Sequence, residues 1–140
     1  MQKVSESNVG KVLKKDGVMK FDLKSFSNLN KISISKLKKK FGKQSWAARV
    51  VYNKRFGGVL IFQKPGEGNR KHYHPDADEC WVIIEGKWKW YIEGVGVKTV
   101  QKNDIIVVPK KTVHQITCIG NKPGLRFAIT KPDVKHVYVD

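Results

Sequence analysis

Gly66-Glu67-Gly68-Asn69-Arg70-Lys71-His72-Tyr73-His74-Pro75-Asp76-Ala77-Asp78-Glu79, closed by Gly86, is the stretch on which the reading of this chain turns. It sets two histidines one residue apart and a glutamate just beyond. Successive side chains of a strand point to opposite faces, so His72 and His74 share a face, a strand pitch apart. That spacing suits two imidazoles on neighbouring corners of one metal ion. Pro75 to Asp78 read as a short turn, so the next strand can return the Glu79 carboxylate to the same point. Downstream, Pro109-Lys110-Lys111-Thr112-Val113-His114 supplies a fourth candidate ligand, His114.

Working outward, the grammar is β from Trp46 onward. Trp46 to Tyr52 reads as a strand, Asn53 to Gly58 as a turn, and Val59 to Gln63 as a strand broken at Lys64-Pro65-Gly66. Glu79 to Glu85 runs to Gly86, Lys87 to Ile92 runs back, and Glu93 to Gly96 turns the chain again. Val97 to Val100, Ile105 to Val108, Val113 to Ile119 and Leu125 to Thr130 follow, and Val137-Tyr138-Val139 suits a final strand. Short strands at this spacing predict an all-β, closed or double-sheet antiparallel fold. Residues 1–45 are polar and Lys-rich with weak periodicity, and are expected as an N-terminal extension on a domain of residues 46–140. Within it Val12-Leu13 and Met19-Lys20-Phe21 read as short strands, and Ser33-Ile34-Ser35 begins a strand or caps a short helix.

These motifs resemble the cupin family. The usual first motif is Gly, five residues, His-x-His, three or four residues, Glu, six residues, Gly; Gly66, His72, His74, Glu79 and Gly86 fill every position. The usual second motif is Gly, five residues, Pro-x-Gly, two residues, His, three residues, Asn; here it reads Asn103, Pro109, Lys111, His114 and Cys118. The Pro and the His match, and the glycines and the final Asn are replaced. The resemblance spans roughly residues 46–130. It implies a small jelly-roll barrel holding one divalent transition metal ion (Fe, Mn, Ni, Co or Zn) through His72, His74, Glu79 and His114. It also implies an enzyme of dioxygenase, isomerase, decarboxylase or lyase type on a small, oxygen-rich organic molecule, for which the positive charge of the chain favours an anion. A non-catalytic binding or sensing barrel is the alternative, and a homodimer through the N-terminal strands is expected.

Strand alternation nominates further side chains for the barrel interior. If Glu79 points inward, Trp81 follows; if His114 does, Cys118 follows. Arg126 could clamp a carboxylate, Arg49 and Gln63 could meet substrate, and Tyr91 could donate a proton. A slip of one residue would invert each assignment. Trp46, Trp81, Trp88 and Trp90 read as core and interface. His136 fits no ligand pattern.

Composition bounds the rest. A chain of 140 residues with 40% hydrophobic content supports one domain. Cys80 and Cys118 are too few for a disulfide framework and read as buried, reduced thiols. No apolar run follows Met1 to Ser7, and none approaches membrane-spanning length, so a cytoplasmic protein is expected. The net charge of +16 comes from 28 basic against 12 acidic residues. It is carried mainly by dispersed Lys, which argues for a solvated surface rather than a nucleic-acid interface. The dense run Lys36 to Lys43 is the exception.

Overall fold

The computed structural model describes residues 9–139; the Met1 to Ser7 segment read for a leader lies outside them. Among the described residues, eleven strands form two sheets. The strands are β1 (Lys20–Asp22), β2 (Trp46–Tyr52), β3 (Gly57–Gln63), β4 (His72–Tyr73), β5 (Glu79–Glu85), β6 (Lys87–Ile92), β7 (Gly96–Gln101), β8 (Ile105–Val108), β9 (His114–Ile119), β10 (Gly124–Thr130) and β11 (Val137–Tyr138). One sheet runs β1-β2-β3-β10-β5-β8 and the other β11-β4-β9-β6-β7. All pairings are antiparallel except β1 with β2, which is parallel. This is the antiparallel jelly-roll architecture the sequence predicts.

The sheets close on one apolar core. Trp81, Ile83, Ile106 and Val108 from the first meet Trp88, Trp90, Ile92, Val100, Ile116 and Cys118 from the second. Strand alternation fills it: β6 buries Trp88, Trp90 and Ile92 and turns Lys87, Lys89 and Tyr91 outward. Gly86 makes the β5–β6 corner possible. Its φ is 82°, and a Cβ there would run into the backbone of Gly124.

Residues 9–45 are woven into this body. Val9, Val12 and Leu13 recur at helical spacing, and they form one face of helix α1 (Val9–Lys15). The strand expected at Val12-Leu13 is therefore a helix turn. It ends at Gly17, φ 93°, where Val18 N–H reaches back to the Leu13 carbonyl at 3.1 Å. Leu13 and Val18 enter the main core. Helix α2 (Ile34–Phe41) begins at Ser33, whose side chain accepts from Lys36 N–H at 3.3 Å. It lays Leu37 and Phe41 on the outer face of β2 and β3, where Trp46 stacks on Phe41 at 5.0 Å and on Phe62 at 5.8 Å. The dense lysine run is the solvent side of this helix: Lys38 pairs with Glu85 at 2.9 Å and Lys40 with Asp22 at 3.4 Å. Among the described residues, no helix is long and apolar enough to cross a membrane.

Candidate metal centre

The four motif side chains meet between the sheets. His72 lies on β4, His74 one residue past its end and His114 at the head of β9, opposite His72 in register. Glu79 opens β5 in the facing sheet. All four are buried. Ring centroids are 5.0 Å apart for His72 and His74, 4.4 Å for His72 and His114, and 5.4 Å for His74 and His114. The positions the motif reserves for glycine keep their geometry: Asn103 and Lys111 have φ of 77° and 64°. The Lys111 turn is docked by its N–H on the His74 carbonyl at 2.7 Å and by Lys110 N–H on Asp78 Oδ1 at 2.9 Å.

Each ring is oriented by a backbone carbonyl. Nδ1 of His72 donates to Arg70 O at 2.5 Å, Nδ1 of His74 to Lys135 O at 2.8 Å, and Nδ1 of His114 to Thr112 O at 3.0 Å. A carbonyl only accepts, so these contacts put the proton of each neutral ring on Nδ1 and leave Nε2 as a lone pair. Nε2 of His74 lies 3.1 Å from Glu79 Oε2, and Nε2 of His114 lies 3.3 Å from Glu79 Oε1. The latter nitrogen is buried without a hydrogen-bond partner. Lone pairs converging on a carboxylate repel unless a proton or a cation lies between them. This donor set, nitrogen with one carboxylate oxygen, fits a divalent transition ion.

The electrostatics agree. Burial works against the Glu79 charge, yet His114 and His74 hold its carboxyl well below the usual range. Burial likewise disfavours a charged His74, but Glu79 raises its proton affinity. Burial and the neighbouring His114 depress His72 to about 3, which keeps it neutral and ready to ligate. Trp81 Nε1–H donates to Glu79 Oε1 at 2.5 Å and fixes the carboxylate.

A cavity of about 90 Å³ reaches this cluster, and its lining includes Glu79, Trp81, Asn69, Asp16, Arg49 and His136. Trp81 and Arg49 stand where alternation puts them, facing the interior. Arg49 is engaged with the N-terminal segment: Nε donates to Ser27 Oγ at 3.2 Å, Nη2 to Leu23 O, and the guanidinium lies 3.7 Å from the Tyr52 ring centroid. Arg126 is inward and fully buried but off the cavity wall. It donates to Gln63 Oε1 at 2.7 Å and Asn69 Oδ1 at 2.6 Å, between Trp81 and Trp88. Burial pulls its pKa down to about 10. Gln63 is consumed by the same network, its Nε2 donating to Asp16 O at 2.5 Å. Cys118 packs in the core beside the Gln63 carbonyl, 3.7 Å away, and burial pushes its thiol up. Tyr91, expected to donate a proton inside, lies on the outer face of β6 with Lys71 over its ring; the register that buries Trp90 turns it out.

Two residues the sequence reading passed over stand at the site. His136 lies 4.9 Å from His72 and 4.7 Å from His74, centroid to centroid. Burial, then His74, lowers its pKa to about 4. Asp16, between α1 and β1, is buried against the cavity with Oδ1 accepting from Arg70 N–H at 3.1 Å. Burial raises its pKa to about 6. The helix spacing of Val9, Val12 and Leu13 followed by Asp-Gly was the available signal for Asp16. His136 had none, because a pairing far along the chain delivers it.

A small double-sheet barrel with a buried three-histidine, one-glutamate cluster is thus the class the fold and site define. Residues 59–130, just over half of the chain, match the Cupin domain family, and the chain belongs to it. A structure from Klebsiella pneumoniae, described as an uncharacterized conserved protein with a double-stranded beta-helix domain, superposes with a TM-score of 0.68 at 17% identity, covering 80% of this chain and 93% of that one. A variant of Bacillus subtilis oxalate decarboxylase gives a TM-score of 0.56 at 25% identity over 61% of this chain and 24% of that one. Among curated proteins, an uncharacterized Bacillus subtilis protein is 34% identical over 44 residues, 31% of this chain and 39% of that protein. The chain spans about half or less of the length of the curated relatives it matches.

Proposed function

We propose that this chain is a cytoplasmic, metal-dependent cupin enzyme acting on a small, oxygen-rich, anionic organic molecule. The ion would be held by His72, His74, Glu79 and His114. The observation that carries the reading is the convergence of two imidazoles, His74 and His114, each tethered through Nδ1, on the buried Glu79 carboxylate, with the His72 ring packed against both. When bound, such an ion polarises a carbonyl or carboxylate oxygen or, as Fe(II), activates dioxygen. The chain supplies the rest. Trp81 holds the carboxylate in place. Asp16, a cavity carboxyl with proton affinity near neutrality, holds or releases a proton beside the substrate. The net charge of +16 favours an anion, and the likeness to a decarboxylase of a small dicarboxylate points the same way. The thiols Cys80 and Cys118 are free, in keeping with a reducing compartment.

A second reading, a barrel that binds its ligand without turnover, is favoured by one observation. Arg126 and Gln63 satisfy each other, and Tyr91 points away. Elemental analysis of untagged protein beside His72→Ala and His114→Ala tests the metal. Near-stoichiometric metal lost in both variants supports it, and no metal after anaerobic reconstitution defeats it. Turnover of small carboxylic acids by the loaded protein then separates enzyme from binder.

For the partner we propose a second copy of the chain, on the outer face of the first sheet rather than through the N-terminal strands. Ile105 and Val107 project from its edge strand β8 at 68% and 60% exposure, with Ile129 exposed two strands away, across Cys80 of β5. In sedimentation, Val107→Asp should shift a wild-type dimer to monomer; a monomeric wild type sinks the proposal.

A further inference from the structure

His136 is the one member of the histidine cluster that the metal motif does not contain. Its centroid distances to His72 and His74, 4.9 and 4.7 Å, match those among the motif histidines, 4.4 to 5.4 Å. The ligating atoms of His72, His74 and His136 lie within 4.8 Å of one another, as do those of His74, Glu79 and His114. Two potential ligand triads therefore share His74. We propose that His136 is a fifth protein ligand of the same centre, delivered by the C-terminal segment; the proposal rests on the metal reading above.

The segment is built to hold it there. Strand β11 pairs with β4, Val137 opposite Tyr73 and Tyr138 opposite His72, so residue 136 arrives beside the ligand strand. Val139 N–H donates to Lys71 O at 3.0 Å. Lys135, the neighbour of His136, supplies the carbonyl that orients His74. Arg70 lies 3.9 Å from the ring centroid of Tyr138, which stacks at 24° on His136. One short segment thus orients a motif ligand and presents another imidazole. His136 also lines the cavity with Glu79. A six-coordinate ion with five protein ligands keeps one exchangeable position instead of two. A substrate must then bind through one atom or displace His136.

Proton NMR of the Co(II)-loaded full chain tests this. Each coordinated imidazole contributes one exchangeable, hyperfine-shifted N–H signal from its uncoordinated nitrogen. Four such signals are expected in the wild type and three in His136→Ala, with weaker Co(II) binding in the variant. Three signals in both proteins overturn the proposal. Should the variant not fold, the wild-type count of four against three decides alone. A wild type that takes up no cobalt defeats the metal reading itself, and this inference with it. His114→Ala is the control in which a motif ligand is lost.

Discussion

Replacing Lys111 by glycine should stabilise the protein. Lys111 sits at φ 64° in the turn before His114, where an L side chain pays for the clash between its Cβ and the following carbonyl. That conformation costs a non-glycine residue about 1–2 kcal/mol. Glycine returns about 0.5–1 kcal/mol of this through its greater freedom in the unfolded chain. The net expectation is about 0.5–1 kcal/mol of added stability, or roughly 1–4 °C in Tm for a domain of this size. The side chain is exposed, and the hydrogen bond from residue 111 to His74 O belongs to the backbone, so glycine keeps it. Losing a cation from a chain of net charge +16 also relieves repulsion. Lys111→Ala, which removes the charge but keeps the Cβ, separates the two effects. Urea unfolding of chelator-treated protein at matched salt gives the comparison, because bound metal would shift stability by mass action. Glycine and alanine variants of equal stability, or a destabilised glycine variant, would refute the strain argument.

Trp81→Phe removes the indole N–H from Glu79 Oε1; metal affinity in a chelator competition should fall about 10- to 100-fold, and a change under twofold would show that the carboxylate holds its place unaided. Asp16→Asn should raise stability near neutral pH by about 2–3 kcal/mol at most. The folded pKa of about 6 lies above the unfolded value near 3.8, so ionised Asp16 costs stability that grows between those two pH values and is absent below them. Thermal melts of both proteins should therefore converge below about pH 4, separate between about pH 4 and about pH 6, and keep a constant gap above that; curves parallel across the whole range would contradict the burial argument. The same variant should slow turnover if Asp16 transfers the proton, a cost often tied to strained functional groups.

Much of this site was written locally. His72 and His74 share a face because strands alternate, and Glu79 returns after a turn whose residues demand one. Two of the three orienting bonds are equally local: His72 leans on the carbonyl of residue 70 and His114 on that of residue 112, each two positions back. The third reaches 61 residues along the chain, from His74 to Lys135, and the same pairing brings His136 to the cluster. No period or spacing encodes a contact of that kind, so the segment looked ordinary. Tyr91 is a different case, since its alternation with Trp90 already placed it outside the barrel; burying an indole outweighs burying a phenol beside Lys87 and Lys89. Arg126 faces inward, as alternation allows, but alternation could not say that Gln63 and Asn69 would engage its Nη2 there and leave Nη1 without a partner. A buried guanidinium needs acceptors wherever the chain can supply them. Two uncharged amides and two tryptophan faces meet part of that need here, Nη1 staying without a hydrogen-bond partner, and Glu79 faces the histidines. Had Arg126 taken Glu79 as its partner, the proposed metal site would have lost the carboxylate of its motif. The polar network around Gln63 thus leaves the Glu79 carboxylate to His74 and His114.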